Sequence, residues 1–320
     1  MKDSLPTKSP WLAPLAGFSD LPFRLVCRDV GCSFAFTEMV SATGLIYNTP
    51  GTYKLLATNL KDTPLAVQIF GAKPKNILLA TKKLLEMGFT YFDLNCGCSV
   101  KKVTKTGAGA SLLKEPKQIV ELVKVMGEVV PFSRLGVKTR LGYELNQDVY
   151  LLLAEDLAKL NIGWFTLHPR YARQKFSGQA DWQKLKILKQ TIPELTVIGS
   201  GDLFTAQDGL RCLEETGIDN IMFARGALRN PYIFTEFKLL KQKKSPGEKN
   251  KIIALLLRKF VHYYQTLKPG LSALKMRTIL PKMVKELPAA KKIRHKLTQI
   301  SSWEEIEEIA FLLEQGAYHD

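Results

Sequence analysis

The chain has 320 residues, 46 Lys and Arg against 30 Asp and Glu for a net charge of +16, and five cysteines. Its length suits one large domain with an appendage better than several small ones. The odd cysteine count (Cys27, Cys32, Cys96, Cys98, Cys212) lacks framework spacing. No leader-like stretch opens the sequence either, so a disulfide-stapled secreted protein is not expected and a reducing cytoplasm is. Apolar runs such as Ile252 to Leu257 fall far short of the roughly 20 residues that span a bilayer, so no membrane crossing is expected.

In chain order, eight apolar runs of strand length alternate with amphipathic segments of helix length: Trp11 to Ala16, Phe34 to Thr37, Leu65 to Phe70, Tyr91 to Asn95, Leu135 to Thr139, Trp164 to His168, Thr196 to Ser200 and Asn220 to Ala224. This alternation predicts an α/β fold of parallel strands joined by crossover helices. Eight such units in about 240 residues match a (β/α)8 TIM barrel, with an open doubly wound sheet as the alternative. After Pro231 no further strand candidate occurs. A Lys-Lys-Ser-Pro-Gly stretch at 243 to 247 precedes helical periodicity from Ile252 to Leu267, which Pro269-Gly270 stops, and Ser302 with Glu305 predicts a capping box on the last helix. The expected organisation is a barrel over 1–240, a linker over 241–250 and a C-terminal all-helical domain over 251–320.

The charge is uneven along this plan. From Lys241 to Lys296 there are 16 Lys and Arg against Glu248 and Glu286, a net +14, whereas the rest of the chain carries +2. Such a block suits a surface that meets nucleic-acid phosphates, where neutralising each phosphate releases counterions. Charge alone is equally compatible with solvated helix faces.

In a (β/α)8 barrel, residues at the C-terminal ends of the strands are the ones placed for chemistry. Here those ends offer Pro14-Leu15-Ala16-Gly17, Glu38, Gln68, Asn95 with Cys98, Lys138 with Arg140, His168 with Arg170, Ser200-Gly201-Asp202 and Ala224-Arg225-Gly226. Glycines after the last two strands would let backbone amides approach a phosphate, which points to a phosphate-bearing cofactor. Taken singly, the glycines also read as turns and His168 as a satisfied rim histidine. Lys138, ending an apolar strand, needs a partner for its ammonium: either a flavin's electron-rich N1 and C2 carbonyl edge or an internal carboxylate. The two thiols of Asn95-Cys96-Gly97-Cys98-Ser99 leave metal binding, disulfide formation and covalent chemistry open. A lone C-x-C without a second pair argues against zinc.

Several ordered motifs carry a family resemblance from about Pro10 to the C-terminus: Ala13-Pro14-Leu15-Ala16-Gly17 with Asp20 and Phe23-Arg24; Gln68-Ile69-Phe70-Gly71; Asp93-Leu94-Asn95-Cys96-Gly97-Cys98 with Lys101-Lys102-Val103; Val137-Lys138-Thr139-Arg140-Leu141-Gly142; Leu167-His168-Pro169-Arg170; Phe176-Ser177-Gly178-Gln179-Ala180-Asp181-Trp182; Gly201-Asp202; and Arg225-Gly226. In these the chain resembles the tRNA-dihydrouridine synthases, most nearly the bacterial B-type enzymes. The resemblance implies FMN on the barrel rim, contacted by Pro14, Leu15, Ala16, Gln68, Lys138, His168, Gly201, Asp202 and Arg225, with Ser200 and Ala224 alongside. It implies Cys98 as the catalytic cysteine, with Cys96 on a variable position as a packing residue, and no metal.

The implied chemistry is reduction of the C5=C6 bond of a uridine in tRNA, with hydride from reduced FMN to C6 and a proton from Cys98 to C5. A thiol of ordinary pKa, roughly 8.5, is mostly protonated at neutral pH and can act as a general acid. The target base must leave its stack, and Asn95 and Arg170 are the expected contacts to the extruded uracil, with Arg140 near its phosphate or the flavin. The basic helical tail would hold the RNA backbone. No Gly-x-Gly-x-x-Gly fingerprint follows a strand, so NADPH or NADH is expected to visit the flavin transiently. No protein partner is implied.

Five positions depart from the family pattern: Ser99 for proline, Pro169 and Tyr171 for Gly and Thr, Ser200 for asparagine and Ala224 for glycine. They touch backbone geometry rather than the chemical groups, so activity is still expected, with a looser catalytic loop and weaker flavin affinity. Two other readings remain: the same chemistry on rRNA, and an FMN barrel acting on a small pyrimidine or enone, which would have no use for a basic helical tail.

Overall fold

The computed structural model describes residues 5–318 except Glu286 and Pro288. Glu286, one of the two acids of the basic block, therefore lies outside the described residues. The strands are β1 (Trp11–Leu12), β2 (Phe34–Phe36), β3 (Val40–Ser41), β4 (Leu65–Phe70), β5 (Tyr91–Asn95), β6 (Leu135–Arg140), β7 (Trp164–His168), β8 (Val197–Gly199) and β9 (Asn220–Phe223). All their pairings are parallel. The sheet closes on itself, because β1 pairs with both β2 and β9 while β2 also pairs with β4. This closure decides for the (β/α)8 barrel over the open sheet.

Two strands differ from expectation for reasons of backbone hydrogen bonding. The first ends at Leu12 instead of Ala16: Ala13 N–H still donates to the Phe223 carbonyl at 2.8 Å, but Pro14 has no N–H to continue the ladder. The second barrel position is shared by two pieces, β2 against Leu65–Ala66 and β3 against Ile69–Phe70. Between them Thr37 substitutes a side chain for a ladder bond, since its hydroxyl accepts from Gln68 N–H at 3.2 Å.

Period-two alternation divides the strands between two cores. Outward residues such as Val67, Ile69, Phe92, Leu94, Val137 and Leu167 pack beneath the surrounding helices. The inward residues at the N-terminal end form a separate aromatic plug of Trp11, Phe34, Phe36 and Trp164. Trp11 and Trp164 meet edge to face at 5.9 Å, and a Cβ at Gly136 would fall 1.9 Å from the Trp164 ring, so only glycine leaves that ring its place. Further along the strands the inward positions turn polar at Gln68, Asp93, Asn95, Lys138 and His168. Apolar filling thus closes one end of the barrel, and polar side chains line the other.

After the helix Ile233–Lys241, the chain continues through the helices Lys249–Leu267, Ala290–Gln299 and Trp303–Glu314, with two short 3-10 turns between the first two. No helix among the described residues is long and apolar enough to cross a membrane. Lys249–Leu267 lies against the first barrel helix, Leu21–Asp29, where Phe23 and Phe260 meet at 5.9 Å. Polar bonds fix the same contact. Asp20, the N-cap of that barrel helix, accepts from Tyr264 Oη at 2.8 Å and pairs with Lys268 and Lys275, and Asp29 pairs with Lys259 at 2.6 Å. At the last helix only half of the predicted capping box forms. The Ser302 hydroxyl accepts from Glu305 N–H at 3.3 Å, but the Glu305 carboxylate turns to Ser301. A complete box forms instead at Thr205 and Asp208.

Candidate active site

The polar layer opens into a cavity of about 240 Å³ at the C-terminal ends of the strands. It is lined by all eleven expected cofactor contacts (Pro14, Leu15, Ala16, Gln68, Lys138, His168, Ser200, Gly201, Asp202, Ala224 and Arg225) together with Asn95, Cys98 and Arg140. Arg170 is not on its wall. Glu38 is not either; its carboxylate accepts from Gly17 N–H and so holds the first rim loop, where Gly17 needs a φ of +80°.

Cys98 is the one cysteine among the five that is not buried. Its loop is set by Asn95, whose Oδ1 accepts from both Gly97 N–H at 3.3 Å and Cys98 N–H at 3.0 Å. The Cys98 carbonyl in turn accepts from Ala110 N–H at 2.9 Å across Gly109, where a Cβ would lie 2.7 Å from that oxygen. Cys96 is fully buried, and burial followed by the Asp93 charge pushes its thiol well up, as suits a packing residue.

Lys138 faces the cavity and makes no hydrogen bond or ion pair with the described residues. Burial, then repulsion from Arg140, brings its ammonium down to about 8, against the opposing pull of Asp93 and Cys98. Asp93 lies below it, fully buried. Burial pushes this carboxyl up to about 6 despite hydrogen bonds from Gln68 Nε2 at 2.6 Å and Trp164 Nε1 at 2.9 Å. Of the two partners the sequence left open for Lys138, the internal carboxylate is therefore near but does not pair with it. The ammonium stays available to an acceptor-rich occupant of the cavity.

Arg140 lines the cavity, whereas Arg170 lies behind its wall, and both guanidiniums are buried and committed to protein partners, chiefly loop carbonyls. Arg140 donates to the carbonyls of Gly97 at 2.9 Å, Tyr171 at 3.2 Å and Lys175 at 2.8 Å. It thereby staples the Cys98 loop to the loop after β7. Arg170 donates to the Ser177 and Gly178 carbonyls and to Asp202 Oδ2. It also donates to His168 Nε2 at 3.1 Å, and since a guanidinium cannot accept, His168 is neutral with its proton on Nδ1. Burial and then the surrounding Arg140, Lys138, Arg170 and Arg225 charges hold this imidazole well below its usual range.

Asp202, at a φ of +54°, binds Arg170, Arg225 and the Ala180 amide. Burial opposes its ionisation, but those donors and charges outweigh it and keep the carboxyl below its usual value. Ala224 has a φ of −119°, outside the left-handed region that favours glycine. Residues to which the sequence assigned no role also belong here. Phe176 is 58 % exposed on the cavity wall, with the guanidiniums of Arg140 and Arg225 at 5.5 and 4.8 Å from its ring. Met39 and Phe204 also lie on the wall. Period two along β5 marks Asp93 as inward, but nothing local marks it as bonded to Gln68.

The family model described as dihydrouridine synthase matches residues 11–315. A probable tRNA-dihydrouridine synthase 1 of Synechocystis sp. is 32% identical over 298 residues, 92% of this chain and 82% of that protein. The tRNA-dihydrouridine synthase B of Pasteurella multocida is 33% identical over 238 residues, 73% of this chain and 70% of that protein. Among solved structures, morphinone reductase shares the fold with a TM-score of 0.52 at 12% identity, covering 75% of this chain and 87% of that one. Together with the barrel and its rim, the match over nearly the whole length shows that the chain belongs to the dihydrouridine synthase family.

Proposed function

We propose that the protein is an FMN-dependent tRNA-dihydrouridine synthase that reduces the C5=C6 bond of specific uridines in tRNA, with NADPH or NADH as the transient reductant. The observation that carries this reading is the placement of Cys98. The single cysteine that is not buried sits on an Asn95-ordered loop at a cavity whose wall holds a lysine ammonium with no partner among the described residues.

The residues present fit FMN. Lys138 supplies a cation toward a pyrimidine carbonyl edge, Gln68 retains a free amide hydrogen beside it, and Arg225 with the Ser200-Gly201-Asp202 turn suits a phosphate. When bound, reduced FMN supplies hydride. The chain's own residues do the rest. Lys138 balances negative charge at the cavity floor, neutral His168 offers Nδ1–H, and Asn95 holds the loop so that the Cys98 thiol can deliver its proton to C5 of a base entering the mouth. Asn95 remains the candidate uracil contact, through the Nδ2 hydrogen that otherwise meets only the Met39 sulfur at 3.1 Å, whereas the buried Arg140 and Arg170 support it by fixing the loops on either side.

The basic block supports RNA as the substrate, in a refined form. Lys259, Lys268 and Lys275 are taken up by Asp29 and Asp20 of the barrel, and Arg258 by Glu307 and Glu314. Lys285, Lys291, Lys292, Arg294 and Lys296 are exposed and are the proposed phosphate contacts of a helical RNA-binding region, 251–320, beside a catalytic barrel, 1–240. A small-molecule substrate would leave these charges without a use. Mapping reduced uridines by mass in RNA from cells with and without the gene tests the reading. Loss of dihydrouridine at defined tRNA positions is expected, and an unchanged tRNA map with a change in rRNA or in neither would overturn it.

A further inference from the structure

A one-way chain of hydrogen bonds runs from the barrel interior to the Cys98 loop. Gln68 Nε2 donates to Asp93 Oδ2 at 2.6 Å, Asn95 Nδ2 donates to Gln68 Oε1 at 2.7 Å, and Asn95 Oδ1 accepts from the Gly97 and Cys98 amides. The two ends fix the direction of both side-chain amides. A carboxylate can only accept, and backbone N–H groups can only donate. The other Asp93 oxygen accepts from Trp164 Nε1 at 2.9 Å, so the carboxylate has a donor on each oxygen.

We propose that Asp93 is a positioning residue for the Cys98 thiol, whose ionised carboxylate orients Gln68 and Asn95 so that Asn95 holds the loop, and whose protonation reverses that orientation and releases it. This rests on the reading of Cys98 as the proton donor for its functional meaning, although the loop geometry stands without it. A protonated Oδ2 must donate, which turns the Gln68 carbonyl toward Asp93 and its NH2 toward Asn95. Asn95 must then turn its own carbonyl back to Gln68, leaving its NH2 against the Gly97 and Cys98 N–H groups. Donors face donors and both loop bonds are lost.

The groups packed around Asp93 are consistent with a carboxyl that can change state. Gln68 faces it from β4, Trp164 from β7, and Lys138 on β6 supplies the nearby positive charge, while Cys96 lies just past the end of its own strand. Burial raises the carboxyl to about 6, so the loop is held above that pH and released below it.

Hydrogen exchange of the Gly97 and Cys98 amides on the purified protein, corrected for the intrinsic pH dependence of exchange, reads the chain without any turnover. Wild type should be protected at pH 7.5 and about tenfold less so at pH 5, roughly what one lost hydrogen bond gives. Asp93→Asn should be unprotected at both, because its NH2 imposes the reversed orientation. The pair Asp93→Asn with Asn95→Asp should regain protection. In that double variant the amide introduced at position 93 donates to the Gln68 carbonyl, and the Gln68 NH2 donates to the carboxylate introduced at position 95, which again accepts from the loop. Wild-type protection that does not change with pH, or a double variant no better protected than Asp93→Asn, would overturn the proposal. A wild-type enzyme that forms no dihydrouridine would instead remove the proton-donor reading and leave the exchange result standing. In turnover, the step that consumes reduced flavin with tRNA should slow as pH falls through about 6 in wild type and lose that dependence in Asp93→Asn.

Discussion

Two groups of cations in the molecule use their charge in opposite ways. At the barrel rim Arg140 and Arg170 are buried, hydrogen-bonded to named carbonyls and surrounded by other cations. In the helical region Lys285, Lys291, Lys292 and Lys296 are exposed on turns and helix faces. Rim charges are therefore geometric, weakly screened by salt and intolerant of small changes, whereas the helical charges act at a distance and fade over a Debye length of about 10 Å at 0.1 M salt. Residue type does not tell these roles apart; desolvation does.

That contrast can be broken by substitution. The largest effect is expected at Lys138, which joins the two behaviours by being half-buried yet without a partner among the described residues. Lys138→Met should yield protein that retains its fold but purifies with little flavin, checked by the visible spectrum. In the intact protein the cation is lost as pH rises through about 8, so flavin release, followed by fluorescence, should increase between pH 7 and 9. Reversing Lys285, Lys291, Lys292 and Lys296 to glutamate comes next. RNA affinity should fall by at least about tenfold, and the slope of log affinity against log salt should become shallower by up to about 3, with flavin content unchanged. An unaltered slope would move the RNA elsewhere. The mildest change is Arg140→Lys, which keeps the charge and loses the fork. It should cost about 2 kcal/mol of stability through unmet carbonyls and lower turnover at every salt concentration equally, measured by thermal melting and by steady-state assay. A salt-dependent defect there would erase the distinction.

Much of the barrel was legible because its strands are covered by helices outside and by the plug within, and so read as apolar runs ending in polar residues at a common rim. What escaped depended on contacts that no local window contains. The break at Thr37 arises from a side chain standing in for a ladder bond of β4, 31 residues away. Arg140 and Arg170 read as substrate contacts because they follow strand ends, yet loop carbonyls beyond them claim both guanidiniums. Within the basic block, Lys259, Lys268 and Lys275 looked like free charges because their acidic partners lie 230 to 255 residues earlier. The family motifs located the rim chemistry, but the hydrogen-bond chain from Asp93 to the Cys98 loop required the register of β4 and β5, in which Gln68 stands opposite Asp93.

In the proposed reaction Cys98, and not its buried neighbour, delivers the proton. This is tested most directly by mixing photoreduced, flavin-loaded protein with unmodified tRNA and following flavin reoxidation without oxygen. Cys96→Ala should reoxidise at close to the wild-type rate, while Cys98→Ala should keep its flavin and its RNA affinity but slow by more than about a hundredfold, within the range that general acid catalysis supplies. Equal rates for Cys98→Ala and wild type would assign the proton to another group on the rim.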